Sequence, residues 1–214
     1  KNIGLIIRHT GSHYVVRNDA DGQHFDCTVR GKLRLKDFKT TNPIAVGDKV
    51  VFEETNPNEG VITEILPRRN YIIRKSSNLS RQAHVLAANV DMAFLVITLH
   101  HPRTSYEFID RFLVTAEAYK IPVTIVINKI DLYTNEDMKE ELAYFRYVYN
   151  KTAGYPILEI SALDGTGVDI IHNLINGKVY LFSGNSGVGK STLLNAIDPT
   201  LNLKTGAISE AHNK

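Results

Sequence analysis

Apolar residues follow two regimes along the chain. Up to about Leu66 they come in short runs: Gly4-Leu5-Ile6-Ile7, His13-Tyr14-Val15-Val16-Arg17, Gln23 to Val29, Lys49-Val50-Val51-Phe52 and Gly60 to Ile65. Near-alternating runs of this length predict half-buried strands. Asn18 to Gly22, Val46-Gly47-Asp48 and Asn56 to Gly60 supply turn residues between them. Five such strands in about sixty residues predict a small closed barrel of the oligonucleotide-binding (OB) kind, with an SH3-like barrel as the alternative that periodicity does not separate. From Asn89 onward the runs lengthen. Met92 to Leu99, Ile121 to Ile127, Pro156 to Ile160 and Val179 to Phe182 are continuous and suit strands buried on both faces. Ser105 to Tyr119, Asn135 to Asn150 and Val168 to Ile175 lie between them as helices. This order predicts an α/β domain with a doubly wound, mostly parallel sheet. Pro67 and the polar run Ser76-Ser77-Asn78-Leu79-Ser80 make residues 67–88 read as a linker, so the expected domains are 1–66 and 89–214.

The last apolar run opens into chemistry. After Val179-Tyr180-Leu181-Phe182-Ser183 come Gly184-Asn185-Ser186-Gly187-Val188-Gly189-Lys190-Ser191-Thr192. Glycines at these spacings let backbone N–H groups turn inward as a nest, and the helix that follows points its positive end at the same space. Lys190 can reach the outer phosphates of a nucleotide, and the Ser191 hydroxyl is placed to hold a magnesium ion bridging them. A plain glycine-rich strand-to-helix turn is the structural alternative.

Asn128-Lys129-Ile130-Asp131 stands at the carboxyl end of the run Ile121 to Ile127, where open α/β sheets place ligands. A carboxylate there can accept from N1–H and N2–H₂ of guanine together, and adenine offers neither donor. Asn128 can meet the N7 edge or tie loops together, and the Lys129 stem can lie over the ring. Four polar residues capping the next helix would look the same. Ser161-Ala162-Leu163 follows the next strand, and the Ala162 N–H is a candidate donor to guanine O6.

Composition adds limits. The 214 residues are 43% hydrophobic with net charge +2, and no run of eighteen apolar residues or charged-then-apolar leader is visible, so a cytoplasmic protein without membrane contact is expected. Cys27 is the single cysteine, excluding an internal disulfide or a multi-cysteine zinc site within these residues and suggesting a buried, inert thiol. Residues 1–88 carry net +5 and residues 89–214 net −3. Basic residues cluster at Arg30, Lys32, Arg34 and Lys36 and again at Arg68, Arg69, Arg74, Lys75 and Arg81, near Phe38 and Tyr71. On a barrel these can grip RNA phosphates and stack on bases, or simply be solvated surface charge.

Taken together, the three elements NKID, SAL and GNSGVGKS resemble those of translation-factor-class GTPases, in inverted order, with the base-side loops ahead of the phosphate loop. A small β barrel joined to a circularly permuted P-loop GTPase domain resembles the ribosome small-subunit-dependent GTPases known as RsgA, YjeQ or YloQ, and the likeness covers essentially the whole chain. It implies a Mg²⁺-dependent, ribosome-stimulated GTPase acting late in maturation of the small (30S) subunit. Its partners would be that subunit and its rRNA, bound through the barrel, and its ligands GTP and GDP. The site implied is Asn128 to Asp131, Ser161 to Leu163 and Gly184 to Thr192, with Lys190 and Ser191 catalytic and Ser191 on the metal. The chain is expected to be a monomer. The family's switch segment, Asp-x-x-Gly motif and C-terminal zinc-binding domain are not matched in these residues, so no zinc ligand is assigned. The glutamines, Gln23 and Gln82, lie outside the catalytic neighbourhood, which leaves the water-orienting group to the switches or the ribosome. A non-catalytic GTP/GDP-dependent RNA-binding switch is the rival reading, and NKID argues against a small-molecule kinase.

Overall fold

The computed structural model describes residues 1–29, 44–75, 83–175, 177–203 and 205, in two compact units, Lys1–Val90 and Asp91–Lys214. In the first, β1 (Asn2–Thr10), β2 (His13–Asn18), β3 (His24–Val29), β4 (Lys49–Asn56) and β5 (Glu59–Ile65) close a barrel in the order β1-β2-β3-β5-β4. Neighbours run antiparallel except β3 and β5, which are parallel. A simple meander would place β4 beside β3. Inserting β5 there is the Greek-key closure of the OB fold, which answers the question that periodicity left open. Alternate residues of the strands fill the interior: Tyr14 and Val16, Phe25 and Cys27, Val50 and Phe52, with Ile6 and Ile62. Burial, reinforced by the neighbouring Asp26 carboxylate, pushes the Cys27 thiol up to about 11.

The stretch read as a linker contains a hairpin, β6 (Tyr71–Lys75) with β7 (Ala83–Ala88). The polar run Ser76 to Ser80 falls between its strands in sequence and lies outside the described residues. The base of the hairpin is fastened to the barrel turn at Val46-Gly47-Asp48. The Arg68 guanidinium donates to both oxygens of the fully buried Asp48, at 2.7 Å each. Ala88 N–H donates to Val46 O (2.9 Å) and Asn89 Nδ2 to Gly47 O (2.9 Å). Gly47 has φ 91°, and a Cβ there would sit 1.9 Å from Ala88 O, so only glycine allows β7 this close. Asn70 pairs with Val90 through both ends of its amide, at 2.8 and 2.7 Å. Arg68, expected to grip RNA phosphate, is therefore a buried structural partner, because Asp48 needs a cation where water is excluded. Arg30, Lys32, Arg34, Lys36, Phe38 and Arg81 lie outside the described residues.

The second unit runs β8 (Met92–Ile97), α1 (Tyr106–Ala118), β9 (Val123–Ile127), α2 (Glu136–Phe145) with a π-helical continuation Arg146–Thr152, β10 (Ile157–Glu159), α3 (Val168–Leu174), β11 (Tyr180–Ser183) and α4 (Lys190–Ile197). Side-chain oxygens of Ser105 and Asn135 accept first-turn N–H groups of α1 and α2. The strands form a parallel sheet ordered β10-β9-β8-β11. β8 and β9 are buried almost throughout, which is why they read as continuous apolar runs. The chain winds outward from β8 to β10, then returns to place β11 on the other side of β8. That reversal creates a switch point at the carboxyl ends of β8 and β11. Beneath it pack Phe94, Val96, Val126, Ile160, Val188 and Leu193. Among the described residues no helix is long and apolar enough to cross a membrane.

Candidate nucleotide-binding site

Because the sheet is parallel, the loops after β9, β10 and β11 emerge at one edge. The glycine-rich loop after β11 is pinned by Val188, which is fully buried in the core below. Two glycines are required by close approach. At Gly184 (φ 154°) a Cβ would meet Val96 O at 2.1 Å, and at Gly189 (φ 94°) it would meet Asn128 Nδ2 at 2.3 Å. Gly189 is also the N-cap of α4, so no side chain covers the first-turn amides of that helix, and Ser191 and Thr192 stand half-buried within the turn. The Lys190 ammonium folds back onto its own loop, donating to Gly184 O (2.7 Å) and Asn185 O (2.6 Å). Burial lowers its pKa. Ser186 and Gly187 are exposed at the crest.

Asn128 is 1% exposed. Its Nδ2 donates to Val188 O (2.8 Å), and its Oδ1 accepts from Ala162 N–H (2.9 Å). These two bonds tie the loops together, which is one of the two roles foreseen for it. The Ala162 N–H donates to Asn128 here, so meeting guanine O6 requires it to share or exchange that bond. Lys129, in the left-handed region at φ 63°, reaches from the base side to the phosphate side. Its Nζ donates to Gly187 O (2.8 Å) and His101 O (2.6 Å), and burial lowers its pKa against the opposing pull of Asp131.

Ile130 to Leu132 form a single 3₁₀ turn that leaves Asp131 exposed. Ile130 N–H donates to Ile160 O (3.1 Å), stitching this turn to the loop after β10. In that loop Ser161 is fully buried, its N–H donating to Thr166 O (3.0 Å), while Leu163 is 82% exposed. Sequence reasoning missed the loop after β8. Its His101 carbonyl holds Lys129, and Leu99 N–H donates to the Tyr133 hydroxyl (2.9 Å). Its place at the switch point was the available signal.

Comparison with known proteins agrees with this geometry. Residues 65–214 match the family model described as RsgA GTPase, and residues 3–62 match the RsgA N-terminal domain. The chain belongs to the RsgA GTPase family. It is 53% identical over 213 residues to a small ribosomal subunit biogenesis GTPase, RsgA 2, of Bacteroides thetaiotaomicron, covering 99% of this chain and 67% of that protein. The RsgA of Bacteroides fragilis is 52% identical over 211 residues, with the same coverage. Among solved structures, YjeQ from Thermotoga maritima superposes with a TM-score of 0.77 at 36% identity, covering 96% of this chain and 68% of that one. YloQ, described as a circularly permuted GTPase, gives 0.70 at 33% identity, covering 93% and 65%. The family's permuted fold explains why the base-side loops precede the phosphate loop, and the chain spans about two thirds of the length of these relatives.

Proposed function

We propose that this chain binds GTP and GDP at the joined loops and hydrolyses GTP in the service of small ribosomal subunit biogenesis. The observation that carries the reading is Asn128, whose one buried amide holds the glycine-rich loop and the Ser161-Ala162 loop together. Nothing in a plain strand-to-helix turn calls for that link. In the proposed complex the uncapped amides of α4 and the loop N–H groups hold the phosphates. The Lys190 head leaves its two carbonyls to meet the β and γ phosphates, and Asp131 reads guanine. The residues also fit a magnesium ion, since the first turn of α4 presents the half-buried Ser191 with no capping side chain beside it. Bound there, Mg²⁺ would neutralise charge developing on the β and γ oxygens. Ser191 would hold the metal, Lys190 would stabilise the leaving charge, and Val188 keeps the loop seated so that the donors stay aimed.

The barrel unit is assigned to rRNA, the whole working as a cytoplasmic monomer, with turnover stimulated by docking on the subunit. The test is direct: nucleotide competition, then hydrolysis with and without purified small subunits. GTP and GDP should displace a fluorescent GDP analogue at concentrations where ATP does not, and subunits should raise the rate. ATP matching GTP would refute the base assignment, and binding without hydrolysis in either condition would leave a non-catalytic switch.

A further inference from the structure

The loop after β8 is held from three sides. At its neck, Thr104 N–H donates to Thr98 O (2.9 Å) and Thr98 N–H to the Thr104 hydroxyl (3.2 Å), and both residues are buried. From the turn after β9, the Tyr133 hydroxyl accepts from Leu99 N–H (2.9 Å), and the Tyr133 ring meets the edge of the His100 ring with centroids 5.7 Å apart. From α2, Glu141 divides its carboxylate between two loop residues. Its Oε2 faces His100 Nε2 at 2.9 Å, and its Oε1 accepts from Arg103 Nη2 at 2.5 Å. Between those two residues stands the His101 carbonyl, which accepts from Lys129 Nζ (2.6 Å).

The backbone at both ends of that last bond is strained. His101 lies at φ 54° and Lys129 at φ 63°, left-handed conformations that cost a residue with a Cβ and persist where the surrounding structure over-determines them. Around His101 that structure is Glu141 and Tyr133. The Arg103 side chain is 58% exposed, so its pair with Glu141 contributes little. The weight falls on the better shielded contacts, since the His100 and Glu141 side chains are 23% and 19% exposed and Tyr133 is buried. Lys129 in turn spends its ammonium on two carbonyls, His101 O in this loop and Gly187 O (2.8 Å) in the glycine-rich loop. Contact therefore runs from α2 and the turn after β9, through the His101 carbonyl and the Lys129 head, to the phosphate side.

We propose that Glu141 and Tyr133 are positioning residues for the bound nucleotide, fixing the loop after β8 so that its His101 carbonyl holds the Lys129 ammonium across to Gly187. This rests on the reading above that GTP and GDP bind at the joined loops, and adds two residues outside NKID, SAL and the glycine-rich element on which affinity depends. Neither touches the nucleotide. With the loop loosened, the ammonium keeps Gly187 O alone and its stem regains rotamer freedom. Ordering that stem then falls to the nucleotide, which weakens binding. The loss is read chiefly as faster release, as is usual when one set of contacts is altered.

The experiment measures the dissociation constant and release rate of a fluorescent GDP analogue on the full chain, with the analogue raised until each variant saturates. The single variants are Glu141→Ala, Glu141→Gln, Tyr133→Phe and Lys129→Met, and the doubles are Lys129→Met/Glu141→Ala and Lys129→Met/Tyr133→Phe. Glu136→Ala, which removes an exposed carboxylate from the same helix, is the control and should bind as wild type does. Glu141→Ala and Tyr133→Phe should each weaken binding about three- to tenfold, the worth of about one net hydrogen bond. Glu141→Gln keeps one acceptor for two donors and should fall between. In the Lys129→Met background the same changes should add less than about twofold, whereas effects that do not pass through Lys129 would sum in full. Full losses repeated in that background overturn the positioning role, and wild-type affinity in either single variant removes that residue from it, in both cases leaving nucleotide binding intact. A loss in Glu136→Ala equal to that in Glu141→Ala also overturns it, in favour of helix charge. No binding of the analogue by wild type overturns the nucleotide reading itself. Thermal transitions are recorded throughout. Should Glu141→Ala fail to fold, Glu141→Gln and Tyr133→Phe, which removes a single oxygen, carry the same comparison.

Discussion

Removing the Asn128 side chain tests the loop-tying role where it is strongest. In Asn128→Ala the Val188 carbonyl and the Ala162 N–H lose their partners, and both residues are buried, at 0% and 7% exposure. A buried polar group left unsatisfied costs about 1–3 kcal/mol, so the pair should cost about 2–6 kcal/mol of stability, toward the lower end if water enters the gap. The loss belongs to the nucleotide-free protein, because both bonds exist without ligand. Affinity should fall as well, since phosphate loop and base loop are no longer held in common register; a tenfold to hundredfold loss corresponds to about 1.4–2.8 kcal/mol. Asn128→Asp sharpens the test, for it retains an acceptor for Ala162 N–H but sets a carboxylate oxygen against Val188 O, and it should be at least as damaging. Denaturant unfolding should be followed by a probe within Asp91–Lys214, since two units need not unfold together, with GDP-analogue titration alongside. A nucleotide-free stability unchanged within about 0.5 kcal/mol, combined with lost affinity, would mean that Asn128 serves the base alone and that the loop-tying argument is wrong.

Four further outcomes are expected. Asp131→Asn replaces an acceptor with a donor and should shift preference from guanine to xanthine nucleotides, at a cost of about 2–4 kcal/mol in GTP affinity, read by competition binding. Lys190→Ala and Ser191→Ala should each abolish most subunit-stimulated hydrolysis while circular dichroism and the thermal transition stay unchanged, and full turnover in a folded Ser191→Ala protein would sink the metal assignment. Arg68→Ala strands Asp48 as an unpaired buried carboxylate and should destabilise the N-terminal unit by about 3–5 kcal/mol, whereas Arg69→Ala, at an exposed position, should cost under about 1 kcal/mol in the same denaturant titration. Cys27, buried and with its pKa raised to about 11, stays protonated at pH 8 and should resist alkylation in the native protein, reacting once per chain after unfolding.

How legible the fold was depends on what each feature requires. The half-buried strands β2 and β3 announce themselves by alternation, and β8 and β9 by unbroken apolar runs, because burial on one face or two is a local property of composition. Barrel type was not local: it turns on β5 lying beside β3, a pairing between residues more than thirty positions apart. The hairpin was hidden because the polar residues separating its strands have linker composition, while its fastening lies in Asp48 and Gly47, outside the stretch. At the site, the glycine spacing and the NKID and SAL elements predicted which loops meet. The use made of Asn128 was open, since its partner Val188 is sixty residues further on and only the folded sheet brings them together. Arg68 was misread for a related reason: charge counted along a sequence does not distinguish a solvated cation from one spent on a buried carboxylate.

The seam at Gly47, Asp48 and Arg68 also decides where this protein can be cut. A piece ending at Leu66 would keep every barrel strand yet lose the guanidinium beside Asp48 and the backbone that covers Gly47. It would expose to solvent a carboxylate shaped for the interior. For anyone isolating the amino-terminal portion, the compact unit ends at Val90, with Asn70 and Val90 as its closing stitch.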